Sequence, residues 1–282
     1  RSEKRDILVF DHPRKVKVNG EYIDIYTYDF ISQLDEDEYE VVERSYLGKH
    51  LNKTSKNRSY EEYISPIDII RDRVFANNLN RDELQFVTDL GEQINLLFET
   101  TIDIRGFVAN QIKIFNWRKN YYNKLLQIRK PSVVYLVVSY VCEPLIAACR
   151  ENHIETIEFQ HGTMSKYHLG YSFPDNKTIP YFPDKMILFG KYWFDSTPLP
   201  IVEENISYQG FPYLRNNLLK YRERKKEKNT VLFISQGTIG RELSGIALKL
   251  ARELNEYTIT FKLHPGEFGR WRDEYPDLME AE

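Results

Sequence analysis

The sequence predicts an α/β protein built on doubly wound parallel sheets, and three observations support this expectation. Residues 131–140 (PSVVYLVVSY) form a continuous apolar run after a proline, which is typical of a central parallel strand covered on both faces. From there to residue 210, strand-like and helical segments alternate as they do in βαβ units. A similar alternation starts again at residue 229, which indicates a second domain.

Strand-like segments precede helical ones in the N-terminal part. The expected strands lie at residues 6–10 (DILVF), at residues 38–46 (EYEVVERSY) and on both sides of an Asn19-Gly20 turn, which is a strong hairpin signal. Residues 60–78 are expected to be helical. Apolar residues at three- and four-residue spacing then predict a long helical stretch over residues 81–129 that breaks once or twice.

The remaining strands and helices alternate. Strands are expected at residues 154–159, 184–190, 205–210, 229–235 and 257–263, and helices at residues 142–152, from 191, at 241–254 and from 268. We expect one Rossmann-like domain at residues 1–212, a charged linker at 213–228 and the start of a second domain at 229–282. The last part holds one βαβ unit and a little more, so we expect the second domain to be incomplete in this chain.

Charge and cysteine usage narrow the function classes. A net charge of −3 argues against a dedicated nucleic-acid binder, and the basic clusters at residues 14–17 and 222–228 are expected to be solvated. Cys142 and Cys149 lie on one predicted helix, about 10 Å apart, which is too far for a disulfide. A reducing compartment such as the cytoplasm fits best.

Membrane attachment is left open by the sequence. We expect no membrane-spanning segment and no signal peptide, because the sequence shows no apolar run long enough to cross a bilayer. The basic and aromatic segment 113–130, with Trp117, Tyr121 and Tyr122, could hold the protein at a membrane surface or could be an exposed helix.

Ligands of open α/β sheets bind outside the carboxyl ends of the strands. That rule selects four loops, at residues 139–143, 160–168, 235–240 and 264–267. We take the residues of these loops as the candidate functional residues.

The loop at residues 235–240 joins a predicted strand to a predicted helix. Its glycine and the free N–H groups of the helix start could hold a phosphate, with hydroxyl donors beside them. The candidate ligands are Ser235, Gln236, Gly237 and Thr238. The loop lacks a GxGxxG pattern and a P-loop lysine, so an ordinary turn is an equal alternative.

The loop His264-Pro265-Gly266-Glu267 follows the next strand. A histidine at a strand end can donate a hydrogen bond to a phosphate oxygen. We expect this loop and the loop at 235–240 to lie side by side and to face one crevice.

The loop at residues 160–168 carries two histidines. His161 follows a predicted buried strand and is our candidate general base, because a neutral imidazole that titrates near pH 7 can take a proton from a hydroxyl. Gly162 would allow a tight turn that exposes the imidazole. Residues expected to bind the acceptor are Gln160, Gly162, Lys166, His168 and Glu143. The alternative is a histidine that only holds the loop.

Two such domains with these motifs resemble the GT-B fold of glycosyltransferases. Residues 260–267 (TFKLHPGE) are similar to the His-Pro motif of bacterial sialyltransferases and polysialyltransferases, whose histidine contacts the phosphate of a CMP-sugar. That role would fall to His264. These families carry an acidic pair before a glycine as the base, whereas residues 158–162 read EFQHG. The departure implies His161 as base and puts sialic acid as donor in question.

The short segments QHG and KLHP also resemble pieces of bacterial capsule, teichoic-acid and lipopolysaccharide transferases. The resemblance implies a cytoplasmic, metal-independent enzyme of surface-polysaccharide synthesis that needs no cofactor. Residues 1–212 would bind a glycan or lipid-linked acceptor, and residues 229–282 would begin the domain for the nucleotide-sugar donor. Three alternatives stay open: a CDP-glycerol-type polyol-phosphate transferase, a non-catalytic glycan-binding or scaffold protein and, with less support, a nucleotide-sugar 2-epimerase.

Overall fold

The computed structural model describes residues 4–61, 79–175 and 178–280. The chain divides into two compact units, Arg1–Asn217 and Leu218–Glu282. The expected helix over residues 60–78 lies outside the described residues, apart from its first two positions. The expected linker at 213–228 contains most of a helix, Pro212–Tyr221.

The first unit is built on a seven-stranded sheet in which every strand pair is parallel. Its strands are β1 (Ile7–Phe10), β4 (Tyr39–Glu43), β5 (Arg58–Tyr60), β6 (Val133–Val137), β7 (Glu155–Phe159), β8 (Lys185–Leu188) and β9 (Ile206–Tyr208). The order across the sheet is β5-β4-β1-β6-β7-β8-β9, which is the doubly wound order with its reversal between β1 and β6. The predicted α/β class and the central place of the strand within 131–140 are confirmed.

A small antiparallel hairpin, β2 (Val16–Val18) with β3 (Glu21–Ile23), follows β1. Its turn is Asn19-Gly20, and both residues have positive φ angles of 51° and 94°. These angles suit the glycine and the asparagine that the sequence places there. The predicted hairpin is therefore confirmed.

Six helices are described along residues 28–221. They are α1 (Tyr28–Ile31), α2 (Arg81–Phe98), α3 (Ile104–Arg129), α4 (Glu143–Glu151), α5 (Lys191–Asp195) and α6 (Pro212–Tyr221). The predicted stretch over 81–129 breaks once. Asn80 and Glu83 form a capping box at the start of α2, and the Asp103 carboxylate accepts the Gly106 N–H at the start of α3.

One face of the sheet packs against α3 and α4 and forms the largest core cluster. Tyr122 and Leu126 of α3 meet Leu145 and Ile146 of α4 there, together with both cysteines. Cys142 and Cys149 are free, as expected. Both are also buried, and burial raises the pKa of the Cys142 thiol to about 11 and that of Cys149 higher still.

The predicted aromatic surface at residues 113–130 is wrong in part. Trp117 and Tyr122 are buried, at 5% and 2% exposure, because their face of α3 lies on the core. Apolar side chains are exposed instead at the turn between α2 and α3, namely Leu96, Leu97, Phe98, Ile102 and Phe107.

The second unit contains the expected βαβ unit. Strands β10 (Thr230–Ile234) and β11 (Thr258–Lys262) are parallel, with helix α7 (Gly240–Glu253) between them along the chain. The helix expected from residue 268 is only the single turn α8 (Trp271–Glu274), followed by the 3₁₀ segment Pro276–Glu280. Pro276 explains the early end, because helices stop before a proline.

Candidate functional site

Polar and aromatic side chains gather where the doubly wound order reverses. His12 follows β1, Tyr140 follows β6 and His161 follows β7, so all three lie at the carboxyl edge of the sheet. The His12 and His161 rings stack with centroids 6.2 Å apart, and the Tyr140 and His161 ring centroids are 6.0 Å apart. Two of the four predicted loops, at 139–143 and 160–168, therefore meet at the place where open α/β sheets bind ligands.

His161 is held by two tyrosines, one at each ring nitrogen. The Tyr171 hydroxyl lies 3.2 Å from Nδ1, and the Tyr140 hydroxyl lies 3.4 Å from Nε2. Tyr171 is buried and donates its own proton to the Glu158 carboxylate. Its oxygen is then an acceptor toward His161, so the imidazole proton belongs on Nδ1 and the Nε2 lone pair is left to accept a proton.

Glu158 lies beneath this pair in the centre of the sheet and is fully buried. Its Oε1 accepts the Tyr171 hydroxyl and the Ser139 backbone N–H, the latter at 3.0 Å. Val138 adopts the left-handed conformation with φ 68°, a costly one for a β-branched residue, and turns the chain just before Ser139. Burial raises the pKa of Glu158, against the opposing effect of these hydrogen bonds.

Burial, with His12, His168 and Arg14 nearby, lowers the pKa of His161 to about 4. This value is below the near-neutral titration that the sequence suggested. The imidazole is therefore in its proton-accepting form at every pH above about 5. It is a weaker base than an ordinary histidine, but it needs no deprotonation before it can act.

The low pKa predicts a measurable titration. In proton NMR, the His161 ring should titrate with a pKa near 4, and a midpoint near its ordinary value of 6.5 would contradict the proposed environment. Between pH 6.5 and 4 the unfolded chain binds the His161 proton more tightly than the folded one does. Acidification through this window should therefore lower the free energy of unfolding, and His12, whose pKa burial also lowers, acts in the same direction.

His168 belongs to the same cluster but is used differently. Its ring centroid lies 4.8 Å from that of Tyr171 and 5.4 Å from that of Tyr140. Its Nδ1 accepts the Gly170 N–H at 3.2 Å, which helps to shape its own loop. Lys166 is exposed on this loop, with its Nζ 5.0 Å from the centre of the Tyr167 ring.

The contact between Gly170 and Tyr140 gives a second testable prediction. A Cβ at residue 170 would lie 2.5 Å from the Tyr140 ring, so Gly170→Ala must displace Tyr140 or the loop. We expect this variant to lose about tenfold in kcat/KM for the transfer reaction proposed below, because a small displacement of a group at a site is costly. Its melting temperature should change little. Gly245→Ala is the matched control, because a Cβ there meets no atom within 4 Å. Equal activity of the two variants would contradict a role for Tyr140.

Two of the predicted acceptor residues have other roles. Gln160 is 1% exposed, and its amide donates to the Gly162 carbonyl and accepts the Phe189 N–H, both at 2.8 Å. It holds the loop and is not accessible to an acceptor, so that prediction is wrong. Gly162 does not have a left-handed φ, and a Cβ there would meet no atom within 4 Å, so the turn does not require a glycine.

Glu143 is the first residue of α4 and is half-buried, and burial raises its pKa. It lies in an apolar groove beside Tyr140. Sequence reasoning missed His12, Glu158 and Tyr171. Applying the strand-end rule to β1 would have found His12, whereas no local pattern marks the other two.

The candidate donor loops of the second unit contact one another, as predicted. Arg270 joins them, because it donates to the Gly237 carbonyl at 3.0 Å and to the Gly266 carbonyl at 3.3 Å. His264 is exposed, and its Nδ1 accepts the Gly266 N–H at 3.1 Å. The ring proton of neutral His264 is therefore on Nε2, where it can be donated to an anion.

Ser235 and Glu267 are not available to a ligand, which corrects the prediction for both. Glu267 is buried and accepts from the Ser235 hydroxyl at 2.7 Å, the Tyr275 hydroxyl at 2.8 Å and the His264 N–H at 2.5 Å. Burial opposes its ionisation, but these bonds hold the pKa of Glu267 below its usual value. A Cβ at Gly240 would lie 2.0 Å from the Glu267 carboxylate, so the glycine lets α7 start against it.

Gln236, Gly237 and Thr238 stay at the surface just before α7, with Gln236 and Thr238 exposed. Pro265 and Gly266 belong to a 3₁₀ turn beside them. Within the described residues, no group of three or more histidine, cysteine or acidic side chains is arranged to hold a metal ion. No helix of the described ranges is long and apolar enough to cross a membrane.

Comparison with known proteins gives structural neighbours only. No protein-family model matches the chain, and no curated protein matches it. It is similar to UDP-N-acetylglucosamine 2-epimerase from Rickettsia bellii, with 12% identity and a TM-score of 0.44 over 96% of this chain and 64% of that one.

Two further solved structures are also UDP-GlcNAc 2-epimerases. The enzyme from Methanocaldococcus jannaschii shows 10% identity and a TM-score of 0.47, over 99% of this chain and 69% of that one. The enzyme from Neisseria meningitidis, bound to UDP-GlcNAc, shows 13% identity and a TM-score of 0.47, over 97% of this chain and 69% of that one. The present chain thus spans about two thirds of the length of these neighbours.

Proposed function

We propose that this chain is a metal-independent glycosyltransferase that moves a sugar from a nucleotide-sugar donor to a glycan or lipid-linked acceptor of a bacterial surface polysaccharide. The observation that carries the proposal is the orientation of His161. Its Nδ1 is held by Tyr171, which is backed by Glu158, and its Nε2 faces the carboxyl edge of the sheet beside Tyr140. That arrangement suits a general base for an acceptor hydroxyl.

In the proposed reaction, the acceptor hydroxyl gives its proton to Nε2 of His161 as its oxygen attacks the anomeric carbon. The bond between that carbon and the donor phosphate oxygen breaks, and the electron pair leaves with the nucleotide. The imidazolium that forms donates its Nδ1–H to the Tyr171 oxygen, and the low pKa of His161 favours the later release of the proton from Nε2. The second unit carries groups that can bind a phosphate, namely the Nε2–H of His264 and backbone N–H groups at the start of α7.

Donor binding tests the proposal first. Calorimetry on the full chain should show binding of a nucleoside diphosphate or a CMP-sugar. The His264→Ala variant should bind this nucleotide more weakly than the wild type does, and the loss should be larger than the loss in binding of the bare nucleoside. Arg272→Ala, at an exposed cation of the same unit, is the control. Binding of CMP or CDP without UDP would favour a sialyl- or polyol-phosphate-type donor over a 2-epimerase.

Product analysis then separates the alternatives. Transfer of a labelled sugar to a glycan acceptor supports a glycosyltransferase, whereas a phosphodiester-linked polyol in the product would identify the CDP-glycerol-type reaction. UDP-GlcNAc recovered from D₂O with deuterium at its C2 carbon would overturn the proposal in favour of epimerisation. Glycan binding with no turnover of any nucleotide sugar would overturn it in favour of a binding protein.

A further inference from the structure

An apolar groove of about 710 Å³ lies beside the candidate site in the first unit. Helix α3 and the start of α4 form its walls, and its lining includes Phe107, Ile112, Phe115, Arg118, Tyr140 and Tyr181. Most of the lining is aliphatic or aromatic, and the rings of Phe115 and Tyr181 pack at 5.0 Å. An apolar surface of this size fits a hydrocarbon chain better than it fits a sugar.

The groove ends at the candidate base. Tyr140 lines the groove, is 36% exposed and places its hydroxyl 3.4 Å from Nε2 of His161. A molecule whose apolar part lies along α3 would therefore present its polar end to His161. A purely polar acceptor would leave the groove without a role.

The charge of α3 indicates that the polar end of a molecule bound in the groove would be anionic. Residues 104–130 contain seven lysines and arginines and no acidic residue, although the whole chain has a net charge of −3. Two of the seven form ion pairs within the first unit, Lys119 with Glu151 and Arg129 with Glu40. Arg118 lies in the lining of the groove, and its charge also acts on Glu143 and Glu61. Such a combination of basic and apolar surface is complementary to an anionic amphiphile.

The opposite end of the groove leads to exposed apolar residues. Phe107 belongs to the lining and is 60% exposed. It adjoins the turn between α2 and α3, where Leu96, Leu97 and Phe98 are 82%, 75% and 67% exposed. A chain that leaves the groove at Phe107 would therefore continue over apolar surface and not into water.

We propose that the groove binds the hydrocarbon chain of a lipid-phosphate acceptor, with Arg118 at the phosphate and the acceptor hydroxyl directed to His161. The identification of this lipid as the acceptor rests on the proposed function, whereas its binding does not. Glu143 is the acidic residue of the lining and lies within electrostatic reach of Arg118, so a bound phosphate would compete with Glu143 for this charge.

The test is equilibrium binding of dodecyl phosphate to the full chain, below its critical micelle concentration and without donor. Phe107→Ser should weaken binding by about tenfold, because it removes an aromatic contact with the chain. Phe86→Ser is the matched control, since Phe86 is 67% exposed on α2 and lies outside the groove. Arg118→Gln should weaken binding of dodecyl phosphate about fivefold and leave binding of dodecyltrimethylammonium unchanged. Lys124→Gln, at an exposed lysine of α3, is the control and should leave the binding of both probes unchanged.

Three outcomes would overturn the inference: no binding of dodecyl phosphate, equal losses in Phe107→Ser and Phe86→Ser, or inorganic phosphate binding as tightly as dodecyl phosphate. Binding of the probe is measured without donor and without any transfer step. The inference and the proposed function can therefore fail separately. Lipid binding without transfer would overturn only the function, and transfer to a soluble glycan without lipid binding would overturn only the inference.

Discussion

Replacing His161 by alanine should lower kcat/KM for sugar transfer by a factor on the order of 10²–10⁴, the usual contribution of a general base. The loss should appear mainly in kcat, because the base acts on the proton that moves in the transition state. A radiolabelled-sugar assay with saturating donor measures it. The binding of nucleotide should be unchanged, since His264 and α7 belong to the other unit.

His153→Ala is the matched control for this variant. His153 is an exposed histidine just before β7, at the end of the strand opposite to His161. Its removal should leave the rate within about twofold, and both variants should keep the wild-type melting temperature to within a few degrees. If His161→Ala retained transfer within about tenfold of wild type, the assignment of the base would be wrong.

The second large effect is expected at Glu267, and it is an effect on stability. In Glu267→Ala the Ser235 hydroxyl, the Tyr275 hydroxyl and the His264 N–H lose their common acceptor. Each buried donor left unsatisfied costs about 1 kcal/mol or more, so the second unit should lose about 3 kcal/mol of unfolding free energy. Hydrogen exchange detected by mass spectrometry can measure this loss in peptides from residues 230–275.

Glu256→Ala, at an exposed glutamate of the same unit, should change stability by no more than about 0.5 kcal/mol. Exchange in peptides of the seven-stranded sheet should be unaffected by either variant. Equal protection of the second unit in Glu267→Ala and Glu256→Ala would show that the buried carboxylate does not hold the two loops together.

The fold was predictable from the sequence because its strands are short apolar runs with clear ends. The strand within 131–140 is buried on one face and half-buried on the other, and this is why its apolar residues are continuous and not alternating. The break between α2 and α3 was predictable only as an interruption. Its position depends on Glu99, whose left-handed φ of 51° ends α2, and on Asp103, which caps α3, and both residue types also occur in ordinary loops.

The site was predictable only as a set of strand ends. That rule places His161 and the 139–143 loop at one edge, but the partners of His161 come from tertiary contacts. Tyr171 lies in a loop, and Glu158 is a carboxylate inside a buried strand, where hydrophobic patterning predicts no charge. Sequence position also does not show which way a side chain points, so Ser235 and Glu267 were expected to face a ligand although they face each other.

The two buried cysteines have a practical consequence for these experiments. The reactive species of cysteine is the thiolate, and both thiols are inaccessible with raised pKa values, so maleimides should leave them unmodified at neutral pH. The sequence contains no other cysteine. A single Phe107→Cys substitution would therefore give the folded chain one reactive thiol at the open end of the groove. An environment-sensitive fluorophore attached there would report lipid entry in real time, without removal of any native cysteine.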